Sequence, residues 1–243
     1  MNVLIACEES QRVCTAFREK GHNAFSCDIL PCSGGHPEWH IQTDVLSILN
    51  PTTHYEQGYD EYWDGICFYT SDAFYRIKGK WDLIIAFPPC TYLTVTGNRW
   101  FNVERYGEKA IQRHKDREDA IKFFMKFANA DCDRIVIENP VGVMNTIWRK
   151  PDQIIHPYYF AENEKDTENI AEKKTCLWLK GVKPLEYEVS VNPPERQKLP
   201  GGKTMPSWYS KKYSRENPNG ESRQSMRSKT FPGIAQAMAE QWG

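Results

Sequence analysis

Trp81-Asp-Leu-Ile-Ile-Ala-Phe-Pro-Pro-Cys90 is the stretch of sequence that decides the fold. The apolar residues from Leu83 to Ala86 follow one another without interruption, which is typical of a strand buried on both faces of a parallel sheet. Two prolines then end the strand, because proline cannot donate a hydrogen bond to a neighbouring strand. The pattern predicts a central strand over Trp81–Phe87, followed by a rigid loop that carries a cysteine.

Shorter apolar runs on both sides of this stretch predict further strands at Asn2–Cys7, Ala24–Asp28, Ile41–Asp44, Arg134–Glu138 and Thr175–Leu179. Apolar residues at helical spacing predict helices over Ser10–Lys20, Glu108–Ala130 and Phe231–Trp242. A chain that begins with a strand and then alternates strands with helices favours an α/β fold. We therefore predict a doubly wound, mostly parallel sheet with helices on both faces.

Two stretches do not follow the alternation. Asn50–Lys80 is rich in Tyr, Trp, Asp and Gly, and we interpret it as an insertion that lies over the sheet. Val191–Ser228 is rich in Pro, Gly, Ser and basic residues, which is too polar for a core and predicts a small loop-rich lobe. The predicted organisation is a main domain of residues 1–182 and 230–243, with residues 50–80 inserted and a small basic segment at 183–229.

The composition and the charge distribution restrict the class of protein. The 243 residues are 40% hydrophobic and 26% charged, which is typical of a globular domain and excludes a disordered or fibrous chain. The net charge is only -1, yet residues 196–229 contain nine Lys or Arg and two Glu. A basic segment in a nearly neutral protein is either a solvated loop or a patch that contacts phosphates.

The cysteines and the absence of long apolar runs predict where the protein resides. Eight cysteines are scattered without a CxxC pair, which favours reduced thiols over a disulfide framework. No run of about 18 apolar residues occurs, and Met1–Cys7 lacks the features of a signal peptide. We expect a cytoplasmic protein without a membrane partner. A zinc site is a minor alternative, since four possible ligands are closely spaced at Cys27, Cys32, His36 and His40.

The predicted strand ends carry side chains suited to chemistry. Ligands of open α/β sheets bind beyond the carboxyl ends of the strands, where Cys90 and Glu138 are expected. A thiol held by two prolines is placed as a nucleophile, although a structural cysteine has the same pattern. Glu138 follows a buried strand, so burial should raise its pKa and allow it to donate a proton. Asp28 and Asp44 end two other strands, where a carboxylate either binds a ribose or caps a turn.

The ordered motifs resemble those of the cytosine-C5 DNA methyltransferases, and a compact, phage-like member in particular. Pro-Pro-Cys90 matches the nucleophile motif of that family, and Glu138-Asn139-Pro140 is similar to its Glu-Asn-Val motif. Three further stretches resemble the third-strand element, the basic strand and the closing helix: Thr43–Val45, Lys173–Gly181 and Thr230–Ala239. The matches span residues 3–182 and 230–242. Each is short, and their order makes the set more specific than any one of them.

The resemblance implies a Rossmann-like methyltransferase fold, S-adenosylmethionine as cofactor, and DNA as substrate. It implies that Cys90 adds to C6 of a flipped cytosine, that Glu138 engages N3, and that C5 is methylated. The residues implied for cofactor binding are Ala6, Cys7, Glu8, Asp28, Ile29, Asp44 and Pro88. The residues implied for substrate binding are Pro89, Thr94, Asn139, Lys174, Lys211 and Lys212. Asn139 would support the loop that carries Cys90, and no metal is implied.

One departure from the family pattern keeps other functions open. The family has Phe-x-Gly-x-Gly after its first strand, whereas this chain has Ala6-Cys7-Glu8-Glu9-Ser10. The departure favours two alternatives. One is an enzyme that modifies pyrimidines with another donor or in RNA. The other is an inert DNA-binding protein on a methyltransferase scaffold. An amino-group methyltransferase is less favoured, because Phe87 precedes the two prolines where that class has a polar residue.

Overall fold

The central feature of the computed structural model, which describes residues 1–56, 61–207 and 227–243, is a seven-stranded sheet. Its strands are β1 (Asn2–Ala6), β2 (Asn23–Asp28), β3 (His40–Gln42), β7 (Leu83–Ala86), β8 (Ile135–Pro140), β9 (Gln153–Ile155) and β10 (Thr175–Lys180). They lie in the order β3-β2-β1-β7-β8-β10-β9. The first five in that order are parallel, and β10 runs antiparallel to both β8 and β9. The predicted α/β fold with a mostly parallel sheet is thereby confirmed.

Helices cover both faces of this sheet. They are α1 (Arg12–Glu19), α2 (Val103–Tyr106), α3 (Glu108–Ala128), α4 (Met144–Ile147) and α5 (Pro232–Trp242). Single 3₁₀ turns or segments occur at Pro37–Trp39, Val45–Ser47, Val95–Phe101 and Pro157–Phe160. No helix in the described residues is long and apolar enough to cross a membrane.

The core consists of two apolar layers, one on each face of the sheet. Side chains alternate between the faces along β1, so that Val3 and Ile5 pack with α1 and α5. Leu4 and Ala6 point to the other face and pack in the layer that contains Phe124 of α3. The loops that follow β1, β7 and β8 lie at the carboxyl edge of the sheet.

The insertion at residues 50–80 forms a separate three-stranded antiparallel sheet. Its strands are β4 (Thr52–Glu56), β5 (Glu61–Tyr69) and β6 (Phe74–Lys78), in that order. Ile66 and Phe68 of β5 are buried, and the Phe68 ring packs edge-on against Phe25 of β2 at 4.9 Å. The insertion therefore covers the α3 face of the main sheet, as its aromatic composition predicts.

Several boundaries differ from the sequence-based prediction. The third strand ends at Gln42, so the prediction of Ile41–Asp44 was wrong at its end, because Asp44 caps the 3₁₀ turn that follows. The strand β9 was not predicted, since its three residues are too short to show a periodic pattern. Within the predicted loop-rich lobe, β11 (Arg196–Lys198) and β12 (Thr204–Pro206) form a short hairpin.

Candidate active site

Cys90 lies in the loop that leaves β7, and its backbone conformation is fixed by local bonds. Its carbonyl oxygen accepts hydrogen bonds from the backbone N–H groups of Leu93 and Thr94, both at 3.0 Å. Pro88 is buried, Pro89 is exposed and Cys90 is half-buried. The thiol is therefore neither sealed in the core nor free on the surface, and the loop orients it at the carboxyl edge of the sheet.

A second set of bonds joins the Cys90 loop to the loop after β8. Asn139 Nδ2 donates to the carbonyl oxygen of Pro88 at 2.7 Å, which confirms the prediction that Asn139 supports the loop. Val143 N donates to Leu93 O at 2.8 Å, and an isolated antiparallel bridge pairs Thr94 with residue 142. The two loops are thereby cross-linked by side-chain and backbone bonds.

Residue 142 must be glycine for this cross-link to form. A Cβ atom on Gly142 would lie 2.2 Å from the carbonyl oxygen of Leu93, which is far below any normal contact distance. The absence of a side chain lets the two backbones approach closely. The sequence following Glu138-Asn139-Pro140 thus contributes directly to the position of the nucleophile loop.

Glu138 occupies β8, where it pairs with Leu177 of β10. Its Oε1 atom is buried and has no hydrogen-bond partner among the described residues. Burial raises the pKa of Glu138, and the positive charge of Lys173 offsets part of that rise. The raised pKa favours the protonated form, which can donate a hydrogen bond to a ligand.

The charge of Glu138 acts on the Cys90 thiol. Burial raises the pKa of the Cys90 thiol, and the negative charge of Glu138 raises it further. Lys173 and Arg227 lower the same pKa through their positive charges. The predicted nucleophile and proton donor therefore share one electrostatic environment, and two cations in it favour the thiolate.

Lys173 is a buried cation that the sequence analysis did not select. The resemblance implies Lys174 as a substrate contact, but Lys174 is exposed, whereas Lys173 is buried at 9% exposure. Exposure alternates along the extended chain that enters β10, so Lys173 shares the side of buried Thr175. Lys173 and Glu138 both line a cavity whose other walls are Phe87, Thr175, Thr230, Phe231, Ile234 and Met238.

Glu172 and Lys173 also contact Arg196 and Arg227, which lie near the two ends of the basic stretch at residues 196–229. The Glu172 carboxylate forms an ion pair with the Arg196 guanidinium at the start of the hairpin. Lys173 Nζ donates to the backbone carbonyl of Arg227 at 3.2 Å and lies 5.9 Å from the centre of the Phe231 ring. Lys211 and Lys212, which were predicted to bind substrate, lie outside the described residues.

Thr94, another predicted substrate residue, also has a local structural role. Its Oγ1 atom accepts a hydrogen bond from Thr96 N at 3.2 Å and lies 2.9 Å from Thr96 Oγ1. Thr94 is the N-cap of the 3₁₀ segment Val95–Phe101. It therefore stabilises the start of that segment beside the Cys90 loop.

The ends of β1, β2 and β3 gather the residues predicted to bind a cofactor. Asp28 accepts a hydrogen bond from Leu30 N, and Asp44 accepts one from Leu46 N, each at 3.0 Å and through Oδ1. The charges of both aspartates raise the pKa of the Cys7 thiol, after the larger effect of burial. The three side chains are thus neighbours, and each aspartate has a second oxygen that can accept a bond from a ribose or an amine.

Three other residues predicted to bind the cofactor, Ala6, Pro88 and Ile29, lie near the ends of β1, β7 and β2. Ala6 is fully buried at the end of β1, and Pro88 closes the neighbouring loop after β7. Ile29 follows Asp28 and is 72% exposed, which is unusual for a residue so close to the core. An exposed branched side chain beside two carboxylates suits the flat face and the ribose of a nucleoside.

Glu8, another predicted cofactor contact, has a side chain that bonds to the start of α1, and the cofactor contact itself stays a prediction. Its two carboxylate oxygens accept hydrogen bonds from Val13 N at 2.8 Å and Cys14 N at 3.1 Å, at the start of α1. Glu8 is 5% exposed, and burial raises its pKa to about 7 despite these two bonds. Cys7 and Gln11 adopt left-handed backbone conformations, with φ of 60° and 58°, in the turn where the family has glycines.

The spacing-based zinc candidates are Cys27, Cys32, His36 and His40. Among the described residues, no group of three or more potential ligands is close enough to hold a metal ion. The His40 ring instead bonds to Ser26 Oγ at 2.8 Å and to Leu30 O at 2.9 Å. These histidine contacts join the loop after β2 to the sheet.

Comparison with known proteins does not assign the chain to a family. No protein-family model matches it, and no curated protein matches it significantly. The geometry of the site is therefore the basis for a functional assignment.

Proposed function

We propose that the chain is an S-adenosylmethionine-dependent methyltransferase that acts on C5 of cytosine in DNA. The observation that carries the proposal is that Cys90, in the loop after β7, and Glu138, near the end of the neighbouring parallel strand β8, lie at the same cross-linked edge of the sheet. Addition to a pyrimidine ring requires a thiol that a ligand can reach and a carboxyl group that holds its proton; Cys90 is half-buried, and the pKa of Glu138 is raised. A protein that only binds DNA has no need of either group.

The chemistry of cytosine gives Cys90 its role. C5 of the ring is a poor nucleophile until a thiolate adds to C6. In the proposed reaction a Cys90 Sγ–C6 bond forms, and the electron pair of the C5–C6 double bond becomes available at C5. When bound, S-adenosylmethionine supplies the methyl group that C5 accepts. A base then removes the C5 proton, the Sγ–C6 bond breaks and the double bond returns, so Cys90 is regenerated.

Glu138 and the nearby cations assist the addition. Protonated Glu138 can donate a hydrogen bond to N3, which withdraws electrons from the ring and makes C6 more electrophilic. Lys173 and Arg227 favour the Cys90 thiolate through their charge. Lys173 lines the same small cavity as Glu138, so its ammonium group lies beside the carboxyl group that would engage the base.

The residues at the ends of β2 and β3 fit the nucleoside half of the cofactor. Asp28 and Asp44 each have one oxygen that accepts no hydrogen bond from a described residue, and Ile29 offers an exposed apolar face. The amino-acid half has no equivalent place at the start of α1, since the Glu8 carboxylate already accepts two of its N–H groups. A bound cofactor would therefore rely on other groups for its carboxylate.

The direct test is incubation of the protein with methyl-labelled S-adenosylmethionine and mixed-sequence DNA, followed by mass spectrometry of the nucleosides. We expect labelled 5-methylcytosine, and none with Cys90→Ser. Label on an amino nitrogen of adenine or cytosine would contradict the thiol mechanism. Parallel incubation with RNA tests whether the substrate is DNA.

The conformation of Glu8 favours one alternative, a pyrimidine-modifying enzyme that uses another donor. In that case Cys90 and Glu138 keep their roles, and the cleft beside Asp28 takes a different nucleoside-containing molecule. Calorimetric titration with S-adenosylmethionine separates the two functions. No binding by the wild-type protein, together with a covalent adduct on 5-fluorocytosine DNA, would favour the alternative.

A further inference from the structure

Two arginines of α3 lie side by side beneath the loop that follows Cys90. The guanidinium carbons of Arg117 and Arg113 lie 3.4 Å and 5.2 Å from the centre of the Phe101 ring. Arg113 also lies 5.0 Å from the ring of Tyr92, two residues after Cys90. Both cations thus contact the same loop, one helical turn apart.

The two guanidinium groups differ in their hydrogen bonds. Arg117 donates from Nε to Tyr92 O and from Nη2 to Asn98 Oδ1, both at 2.8 Å, and so holds the loop in place. Arg113 makes no hydrogen bond in the described part of the chain, and its Nε atom is buried without a partner. Neither arginine forms an ion pair with a described carboxylate.

This arrangement is costly without a further partner. Two like charges repel, and the pKa of Arg117 is lowered first by burial and then by the charge of Arg113. A buried N–H donor without an acceptor adds to the cost. A bound anion at the Nη groups would offset the repulsion between the two cations, because a guanidinium group presents a fork of donors that matches phosphate oxygens.

The loop leaves the end of the Arg113 guanidinium without a covering side chain. The residue of the loop next to Arg113 Nη2 is Gly97, on which a Cβ atom would lie 3.5 Å from that nitrogen. Arg113 itself is half-buried. The group is therefore confined by Tyr92 and Phe101 on its faces, and its remaining donors lie beside a residue that has no side chain.

We propose that Arg113 binds a phosphate group of the nucleic-acid strand whose base reacts with Cys90. The inference rests on the proposed function, and it adds a strand contact beside the loop that follows Cys90. The ligand chemistry is a phosphodiester, which a rigid guanidinium binds through two oxygens. Arg117 is a positioning residue for the same loop.

The test is the salt dependence of DNA binding, measured by fluorescence anisotropy with a labelled mixed-sequence duplex. Each phosphate contact contributes about 0.9 to the slope of log affinity against log salt concentration. We expect the slope of Arg113→Gln to be shallower than that of the wild type by about this amount. The matched control is Lys122→Gln, which removes the same charge from an exposed position of the same helix. Equal slopes for wild type and Arg113→Gln would overturn the proposal, and so would equal losses in both variants.

A second variant covers the case in which Arg113→Gln does not fold, as judged by circular dichroism. Arg113→Lys keeps the charge but not the fork of donors. We expect it to retain the wild-type salt slope and to bind the duplex about tenfold more weakly. Wild-type affinity in Arg113→Lys would show that no bidentate contact exists.

Two further measurements separate the source of the phosphate and the standing of the proposed function. The first is calorimetric titration with inorganic phosphate. If phosphate binds to the wild type but not to Arg113→Gln, and the salt slopes of DNA binding are equal, the site belongs to a free phosphate and the nucleic-acid contact is overturned. If the wild type and Arg113→Gln differ in slope but no methyl group is transferred, the proposed function fails and the phosphate site stands. If methyl transfer occurs and the slopes are equal, only the phosphate site fails.

Discussion

The carboxyl edge of the sheet has two halves that use their polar side chains differently. At β7 and β8, backbone and amide bonds fix the loops, and Glu138 Oε1 is buried without a hydrogen-bond partner among the described residues. At β1 to β3, both carboxylate oxygens of Glu8 and one oxygen each of Asp28 and Asp44 accept backbone bonds. A buried group without a partner indicates a place for a ligand, whereas a satisfied one stabilises the fold. The contrast supports the proposal that the reacting base lies at the first half.

The substitution with the largest expected effect on this comparison removes the Cys90 thiol. We expect Cys90→Ser to lower the rate of methyl transfer by about 10,000-fold or more, because a serine hydroxyl is a far weaker nucleophile. Cofactor affinity and the circular dichroism spectrum should not change. Cys32→Ser is the matched control, since Cys32 is a half-buried cysteine in the other half of the edge. Comparable activity losses in the two variants would contradict the assignment.

Glu138→Gln tests the proton donor of the same half. We expect a loss of about 1,000-fold in the rate, which is in the usual range for a general acid. Because burial raises the pKa of Glu138, the wild-type rate should fall as pH rises through that pKa and the carboxyl group loses its proton. Glutamine cannot ionise, so this falling limb should be absent from the pH profile of the variant. A falling limb of the same midpoint in Glu138→Gln would assign it to another group.

Glu8 provides the corresponding test in the satisfied half, with stability as the readout. Its pKa is about 7 in the folded protein and 4.5 in the reference state, so the folded state holds the proton more tightly. The free energy of unfolding should therefore be greatest below pH 4.5 and fall by about 3 kcal/mol as pH rises to 7, as far as this group contributes.

The variant for this test is Glu8→Gln, which keeps one acceptor oxygen for the start of α1. Chemical denaturation at several pH values should show that its stability changes less between pH 4.5 and 7 than that of the wild type. Identical pH dependence in the two proteins would mean that Glu8 does not titrate in this range. A loss of activity without a change in stability would support the predicted contact of Glu8 with the cofactor.

The smallest expected effect distinguishes two adjacent lysines. Lys173→Met removes a buried cation from the cavity of Glu138, and we expect about a tenfold loss in kcat/KM, as for one hydrogen bond to a charged group. Lys174→Met removes an exposed charge and should have little effect. The pH profile should also change in Lys173→Met alone, because Lys173 lowers the pKa of both Cys90 and Glu138. Equal effects of the two substitutions would contradict the assignment of Lys173 to the site.

The sequence predicts the main sheet and the positions of the two residues proposed to react, because those features depend on local patterns. An apolar run followed by Pro88-Pro89 specifies both a strand and the position of Cys90. Glu138 and Asn139 follow from the same argument one strand further. In each case the residue that matters stands at the end of a short, continuous pattern.

The rest depends on contacts between distant residues, which no local pattern contains. Glu8 follows β1 where a cofactor contact is expected, but its side chain finds two unpaired N–H groups at the start of α1. The choice between Lys173 and Lys174 follows from the alternation of β10, and a one-residue shift reverses it. Arg113 has no distinguishing sequence feature, because its lack of a hydrogen-bond partner among the described residues arises only in the folded loop.

The attachment of the basic segment at Glu172 and Lys173 has a consequence for how such a protein can diversify. Both ends of the stretch from Arg196 to Arg227 are held by adjacent residues of the sheet domain. The entropy cost of closing a chain between two fixed points grows only with the logarithm of its length, so doubling the stretch costs about 0.6 kcal/mol. Longer, shorter or unrelated sequences can therefore be exchanged between these two anchors at little cost to the stability of the sheet domain.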